Sequence, residues 1–250
     1  MSDTSISVII PCFNSEKTIM RALDSVRSQK YQPDEILVYD DASDDDTLSI
    51  LENYSLRFPK VSIYRGEENN GVGFARQFLI NKAKGKFIAF LDSDDVWHPN
   101  KLQAQLATLA CSGADICICD YQVLDEAGKK LGVRRMPKTV SFFSLHFSNW
   151  IPTSMVLFRR EITQNVTMSD LRTRQDYAYW LTVFKIKPDT KCVAINQTLG
   201  TYFRDNSGLS GSAISNIKAN YRMFRVIFGY SKVKAFLIVF FNGVFRVIRV

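Results

Sequence analysis

Short apolar segments alternate with segments of helical periodicity through the first 105 residues, and this alternation restricts the fold more than any other feature. The apolar runs predict strands at 5–10, 35–39, 61–64 and 86–91. Strands that alternate with helices predict βαβ units and a parallel sheet, hence an α/β fold. Ligands of such sheets bind beyond the carboxyl ends of the strands. Residues 11–15, 40–41 and 92–95, which each follow a strand, are therefore expected at one binding edge.

The segments between these strands predict helices that begin near Glu16, near Asp46 and at Arg76. Asn14 or Ser15 is the expected N-cap of the first helix. The second half is less regular, with strand-like runs at 115–121 and 154–158 and a helix at 175–185.

The composition is that of a folded globular protein, with 46% hydrophobic and 23% charged residues, so disorder and fibrous repeats are excluded. The net charge of +7 is localised, because residues 201–250 hold eight basic side chains and one acidic one. The first 200 residues therefore carry 24 of each sign. Five cysteines and an N-terminus without a signal-sequence pattern predict a reduced, cytoplasmic setting. No apolar stretch reaches the roughly 20 residues that a transmembrane helix needs.

An acidic cluster follows the fourth predicted strand at Asp92, Asp94 and Asp95. Carboxylates at this spacing can converge on Mg2+ or Mn2+, whose other positions a diphosphate can fill. The alternative interpretation is a solvated turn in which Asp95 caps a helix near Pro99. Gly71 and Gly73 predict a loop before a helix that starts at Arg76. In the functional interpretation, this loop presents Arg76 to a phosphate or to a neighbouring carboxylate. The alternative interpretation is a flexible turn.

Five motifs, in order through residues 5–105, resemble the family 2 glycosyltransferases of the GT-A fold. They are VIIPCFN at 8–14, DDASDDDT at 40–47, NGV at 70–72, AR at 75–76 and LDSDD at 91–95. Each motif alone is weak, whereas the ordered set is highly specific. The resemblance implies a mostly parallel, Rossmann-like sheet flanked by helices.

The resemblance also implies an inverting transfer of a sugar from a UDP-sugar, aided by Mn2+ or Mg2+. By position, the nucleotide base is expected near Pro11, Asn14 and Asp41, with Asp41 accepting from a uracil N–H, and Arg76 is expected near base and phosphates. Asp94 is the expected metal ligand, and Asp92 and Ser93 are expected to contact the donor. In the second half, the family's Glu-Asp pair corresponds to Gln175-Asp176. This departure leaves Asp176 as the candidate general base.

A helix-terminal carboxylate is the alternative interpretation of Asp176. The processive Gln-x-x-Arg-Trp signature is absent after Asp176, which favours a single addition. Arg204 and residues 207–212 lie where relatives close over the donor diphosphate. These assignments predict a GT-A domain at 1–212, with a nucleotide-sugar-binding half at 1–105 and an acceptor-binding half at 106–212.

Residues 213–250 predict basic, amphipathic helices, with an apolar stripe at Ile214, Ile217, Tyr221, Phe224 and Phe228. Such helices bind anionic membrane surfaces, or else pack on a core with a solvated basic side. The tail favours an enzyme peripheral on the inner face of the cell membrane. Its expected acceptor is a lipid-diphosphate-linked saccharide of O-antigen or other surface polysaccharide, whose diphosphate Arg134, Arg135 and Lys138 would help to hold. The rival hypotheses are a non-catalytic sugar-nucleotide or membrane scaffold and a nucleotidyltransferase. No nucleic-acid motif accompanies the charge, so nucleic acid is not an expected partner.

Overall fold

Parallel strands build the first half of the sheet, as their unbroken apolar sequences require. The computed structural model describes residues 4–204 and 213–248. Its first elements are β1 (Ile6–Cys12), α1 (Ile19–Arg27), β2 (Glu35–Asp40), α2 (Thr47–Arg57), β3 (Val61–Arg65), α3 (Val72–Lys82) and β4 (Phe87–Phe90). These strands lie in the order β3-β2-β1-β4, and every neighbouring pair is parallel.

The second half extends the same sheet with mixed pairing. Its elements are β5 (Val96–Trp97), α4 (Lys101–Ser112), β6 (Ile116–Asp125), β7 (Lys130–Arg134), β8 (Thr139–Val140), α5 (Phe142–Leu145), a 3-10 turn (Thr153–Met155), β9 (Val156–Arg159), a second 3-10 turn (Arg160–Thr163), α6 (Gln175–Ile186) and β10 (Cys192–Arg204). The order continues from β4 as β9-β6-β10-β5, with β7 on β6 and β8 on β10. β9 is antiparallel to β4 and β6, whereas β6 and β10 are parallel. The α/β class predicted from the sequence is confirmed, and the parallel pairing is concentrated in the first half.

Two apolar layers cover the faces of this sheet. Alternation along β1 sends Ile9 into one layer and Val8 and Ile10 into the other. The layer of Ile9 includes side chains of α3 and α6, and the opposite layer includes those of α1, α2 and α4. Because both faces of the sheet are covered, the strand sequences are continuous apolar runs. The carboxyl ends of the strands lie at an edge that these two layers do not cover.

The cap expected for the first helix and the alternative interpretation of Asp95 as a cap are both wrong. Asn14 and Ser15 do not cap α1, which begins at Ile19 after a turn closed on the carbonyl of Ser15. Asn14 instead adopts the left-handed conformation, with φ of 48°, and its side-chain oxygen accepts the N–H of Asp44 at 3.1 Å. Asp95 does not cap the next helix either, because Asn100 occupies the N-cap position of α4.

The helix that carries Arg76 begins four residues earlier than expected. Gly71, at φ of 89°, occupies the N-cap position of α3, which begins at Val72. Arg76 is therefore in the second turn, away from the helix start where the dipole would disfavour a cation.

Two C-terminal helices, α7 (Ala213–Val226) and α8 (Lys232–Ile248), complete the described chain. Met223, Phe224 and Phe228 are buried against the layer that contains α6, whereas Ile217 of the expected stripe is 48% exposed. Residues 207–212 and the side chains of Ile214, Phe245, Arg246 and Arg249 lie outside what the structure describes. Within the described chain, no helix combines the length and hydropathy that crossing a bilayer requires.

Candidate functional site

The ends of β1 and β2 form one corner of the binding edge. Pro11 is buried in β1, and Asn14 is exposed beyond it. The N–H of Asn14 donates to Ser43 Oγ at 2.9 Å, and the N–H of Ser15 donates to Thr47 Oγ1 at 2.7 Å. These bonds join the two strand-end loops into one rigid surface.

Asp41 connects this corner to the start of α3. Its carboxylate is buried and accepts the N–H of Asn70 at 3.0 Å and the N–H of Gly71 at 2.7 Å. The two oxygens thus anchor the loop that begins α3, a positioning role that the sequence did not reveal. Each carboxylate oxygen keeps a second lone pair, so a contact between Asp41 and a nucleobase N–H stays a prediction.

Arg76 and Asp92 form the central ion pair of the edge. Nη2 of Arg76 lies 2.5 Å from Oδ1 of Asp92, and the Arg76 residue is only 4% exposed. The N–H of Asp92 donates to Ser154 Oγ at 3.1 Å. The sequence-based expectation that Arg76 meets a carboxylate is therefore confirmed.

The acidic loop is held in place by its neighbours. Ser93 and Ser15 share a hydroxyl hydrogen bond at 2.8 Å, and Arg21 Nη2 donates to the carbonyl of Asp94 at 2.8 Å. The Arg21 guanidinium also lies 3.7 Å from the centre of the Phe203 ring. The helix periodicity of the sequence contained no signal that Arg21 reaches this loop.

Asp95, the third carboxylate of the predicted acidic cluster, is buried. Burial, followed by the charges of Asp94 and Asp92, raises the pKa of Asp95 well above its usual value. The N–H of Phe203 donates to Asp95 Oδ1 at 3.3 Å, which connects the loop to β10. Burial and the same three carboxylates raise the pKa of Tyr202 to about 12, so its hydroxyl remains protonated near this cluster at neutral pH.

The donor set fits a hard divalent cation that is shared with a bound diphosphate. Asp92 and Asp94 are partly exposed carboxylates, and their charges disfavour ionisation of Asp95, which a cation would relieve. Among the described residues there is no group of three or more His, Cys, Asp or Glu side chains that could hold a metal ion. An ion at Asp92 or Asp94 would therefore need substrate phosphates as further ligands, as Mg2+ commonly does.

Asp176, in the first turn of α6, lies beside the acidic loop. Asn149 Nδ2 donates to its Oδ2 at 2.8 Å, and Thr153 Oγ1 donates to the same oxygen at 3.4 Å. The next residue, Ser154, accepts the backbone N–H of Asp92, so the 3-10 turn contacts both the Asp176 carboxylate and the backbone at the start of the acidic loop. The structure thus brings Asp176 to the edge that contains the Arg76–Asp92 pair.

Gln175 points into the interior. It is 6% exposed, its Oε1 has no hydrogen-bond partner, and its Cβ and Cγ lie against Gly73 of α3. A carboxylate at this position would be desolvated between two helices, which gives a physical reason for the departure from the Glu-Asp pair.

Two further basic positions have different surroundings. Arg204 is exposed at the end of β10, directly after Phe203. Arg135 Nη1 lies 2.7 Å from Oδ2 of the fully buried Asp120, so this arginine neutralises a structural carboxylate. The suggestion that Arg135 holds an acceptor diphosphate is therefore not favoured.

Comparisons with known proteins identify the family of the chain. Residues 7–167 match the sequence model of the family described as "Glycosyl transferase family 2". The chain is 30% identical over 197 residues to WfgD of Escherichia coli, named UDP-Glc:alpha-D-GlcNAc-diphosphoundecaprenol beta-1,3-glucosyltransferase, with 78% of this chain and 75% of WfgD covered. It is 29% identical over 223 residues to TuaG of Bacillus subtilis, named as a teichuronic acid biosynthesis glycosyltransferase, with 89% and 88% covered.

Solved structures match the whole described architecture. S. aureus TarS 1–349 in complex with UDP-GlcNAc superposes with a TM-score of 0.70 at 21% identity, covering 94% of this chain and 70% of that one. GalNAc-T7 with UDP, GalNAc and Mn2+ gives a TM-score of 0.69 at 16% identity, with 90% and 48% covered. These similarities confirm the expected GT-A fold.

Proposed function

The chain belongs to glycosyl transferase family 2 and is a glycosyltransferase, and from this premise we propose that it transfers one sugar, with inversion, from a UDP-sugar to a lipid-diphosphate-linked saccharide. The product would serve bacterial surface polysaccharide synthesis, such as O-antigen. The observation that carries the proposal is the meeting of Arg76–Asp92, the acidic loop and Asp176 at one sheet edge.

The donor is proposed to bind in the half formed by residues 1–105. The corner of Pro11, Asn14 and Asp41 would receive the uracil, and Ser93 and Asp92 would contact the ribose. Arg76 and the exposed Arg204 would lie near the phosphates. Asp94 would hold Mn2+ or Mg2+, which supplies charge neutralisation to the departing diphosphate. In support, the TarS structure contains UDP-GlcNAc and the GalNAc-T7 structure contains UDP.

Asp176 is proposed as the general base of the transfer. The acceptor oxygen attacks the anomeric carbon, and its proton passes to the Asp176 carboxylate. The bond between the anomeric carbon and the diphosphate oxygen breaks, and its electron pair leaves with UDP. Hydrogen bonds from Asn149 and Thr153 orient the carboxylate without consuming its second oxygen, Oδ1.

The acceptor half is proposed to comprise residues 106–212, with the C-terminal helices at the inner face of the cell membrane. WfgD and WfaP, both of Escherichia coli, carry names that specify a diphosphoundecaprenol-linked acceptor. The outward apolar side chains of α8 and the basic residues of the tail support membrane contact by two separate forces.

Transfer from a panel of radiolabelled UDP-sugars to synthetic prenyl-diphosphate saccharides tests the proposal. We expect one donor to give product, and proton NMR of that product to show the anomeric configuration opposite to that of the donor. Absence of transfer from every donor, or retention of configuration, would contradict it.

The metal requirement is tested separately with the wild-type protein. Chelation with EDTA should abolish transfer, and excess Mn2+ or Mg2+ should restore it. Full activity in EDTA, after the removal of tightly bound metal is checked by elemental analysis, would refute the cation assignment.

A further inference from the structure

A basic pocket lies between α7 and the loop that precedes α6, outside the donor site. It has a volume of about 420 Å³, and its lining includes Arg172 and Thr173 of the loop and Lys218 and Arg222 of α7. Lys218 and Arg222 are four residues apart, so they lie on one face of the helix. The pocket therefore gathers three cations from two separate segments of the chain.

The three cations are accessible to a ligand. Arg172, Lys218 and Arg222 are exposed, and none of the ion pairs among the described residues includes them. Asp170 is an acidic member of the same lining, so the pocket has a net positive charge. Arginine and lysine together are suited to phosphate oxygens, which the guanidinium binds through paired hydrogen bonds.

The loop that supplies Arg172 is tied to the catalytic edge. Arg174 Nη2 lies 2.5 Å from Oδ1 of Asn216 on α7, and Arg174 occupies the N-cap position of α6. Asp176 follows two residues later. On its other side, the loop contacts α3, because the N–H of Met168 donates to Gln77 Oε1 at 2.9 Å. The loop that lines the pocket is thus tied to α7 and α3, and it leads directly into the first turn of α6, which carries Asp176.

We propose that the pocket of Arg172, Lys218 and Arg222 binds the diphosphate of the lipid-linked acceptor and so presents its sugar to Asp176. The inference rests on the proposed function for the identity of the acceptor, and on the pocket itself for the anion. A second, independent feature agrees with it. α8, which packs against α7, exposes apolar side chains suited to a membrane, as a site for a lipid-borne diphosphate on α7 would require.

Direct binding tests the pocket without relying on catalysis. Farnesyl diphosphate is titrated by calorimetry into the full-length protein saturated with UDP, which blocks the donor diphosphate site. We expect binding by the wild type and at least tenfold weaker binding by the double variant Lys218→Glu/Arg222→Glu. The matched control is Lys30→Glu/Arg57→Glu, two exposed cations outside the pocket, the first lying three residues after α1 and the second at the last residue of α2.

The same variants separate acceptor recognition from donor recognition. In the transfer assay, the Lys218→Glu/Arg222→Glu variant should raise the KM for a prenyl-diphosphate saccharide at least tenfold and leave the affinity for UDP within twofold. In another outcome, the enzyme transfers sugar to no acceptor while its binding of farnesyl diphosphate still depends on Lys218 and Arg222. That result would support the diphosphate-binding pocket and contradict the proposed function. If the wild type does not bind farnesyl diphosphate, or the double variant binds it equally well, the pocket proposal is overturned.

A bulk lipid head group is the other source of phosphate. Sedimentation with phosphatidylglycerol vesicles distinguishes it, since the double variant should retain at least half of the vesicle binding through α8. A loss of vesicle binding with farnesyl diphosphate affinity unchanged would assign the pocket to bulk lipid and contradict the proposal.

Discussion

Arg76 is the residue on which the geometry of the donor edge depends most. Its guanidinium is buried and contacts Asp92, whose side chain is 31% exposed. Removing one partner of a buried pair leaves an uncompensated charge, which costs far more than the loss of a surface pair.

We predict that Arg76→Met lowers the free energy of unfolding by about 2 kcal/mol, less than the value for a fully buried pair because Asp92 is partly solvated. The affinity for UDP should fall at least tenfold. Arg27→Met, which removes a pair whose side chains are 56% and 49% exposed, is the control and should change stability by less than about 1 kcal/mol. Urea unfolding and UDP titration measure both effects, and equal losses in the two variants would contradict the assignment.

Lys101 is a buried cation with a structural role. Its ammonium lies 3.9 Å from the centre of the Trp97 ring and donates to the carbonyl of Val156 at 3.4 Å. Burial lowers the pKa of Lys101 to about 8, against the opposing influence of Cys119 and Cys117. The value in an unfolded chain is about 10.4. Between these values the unfolded chain binds more protons, so the stability contributed at this site rises with pH.

The pH dependence should therefore disappear when the lysine is removed. Between pH 7 and pH 10, we expect the free energy of unfolding of the wild type to rise by about 2 kcal/mol relative to Lys101→Met. Chemical denaturation at several pH values checks this difference. Parallel pH profiles for the two proteins would show that the burial of Lys101 does not depress its pKa.

Several residues of the site were predictable, because each directly follows an apolar strand or helps to form a motif. Asp92, Asp94, Asp41 and Arg76 were found in this way, and all four lie at the expected edge. Arg21 was missed, and so was the contact of Asp95 with Phe203, because these contacts join segments far apart in sequence. Residue spacing and hydrophobic periodicity describe local structure, so they do not predict contacts between residues far apart in sequence.

At the scale of the element, α8 has a buried side and an exposed apolar side. Ala235 and Val239 face the protein, whereas Val233, Phe236, Leu237 and Phe240 are between 47% and 69% exposed. These exposed positions recur at three- and four-residue intervals and define one stripe. An apolar stripe beside lysines has the pattern of an interfacial helix.

We predict that Phe236→Ser/Phe240→Ser lowers binding to vesicles of anionic lipid at least tenfold, since each phenylalanine contributes about 1 to 3 kcal/mol when buried. The melting temperature should stay unchanged, because both side chains are already exposed in the folded protein. Leu56→Ser on α2, where the leucine is 83% exposed, is the control and should sediment like the wild type. Equal sedimentation of all three proteins would exclude α8 as the membrane contact.

The elements of the first half were predicted to within a few residues because each repeats one unit of strand and helix. β10 and the short strands β5, β7 and β8 were not predicted. The sequence of β10 begins Cys192-Val193-Ala194-Ile195 but continues with polar residues, and the strand pairs with β6 through two register shifts. β10 forms a strand because it pairs with neighbouring strands, and its own sequence pattern does not predict one.

At the scale of the whole molecule, one continuous sheet joins the proposed donor and acceptor halves. β9 lies between β4 and β6, and the turn that precedes it contains both Thr153 and Ser154. Thr153 contacts Asp176, and Ser154 contacts the backbone of Asp92. Adjacent residues thus contact the proposed base and the backbone of the donor loop.

Asp176 is the proposed base at this junction. The most direct test is the rate of sugar transfer by Asp176→Asn under saturating donor and acceptor, compared with its affinity for UDP. Asp189→Asn, an exposed carboxylate after α6, is the matched control. We predict a loss of about 10² to 10⁴ in rate for Asp176→Asn with UDP affinity within twofold of wild type. Transfer at a wild-type rate, or a parallel loss of UDP affinity, would contradict the assignment.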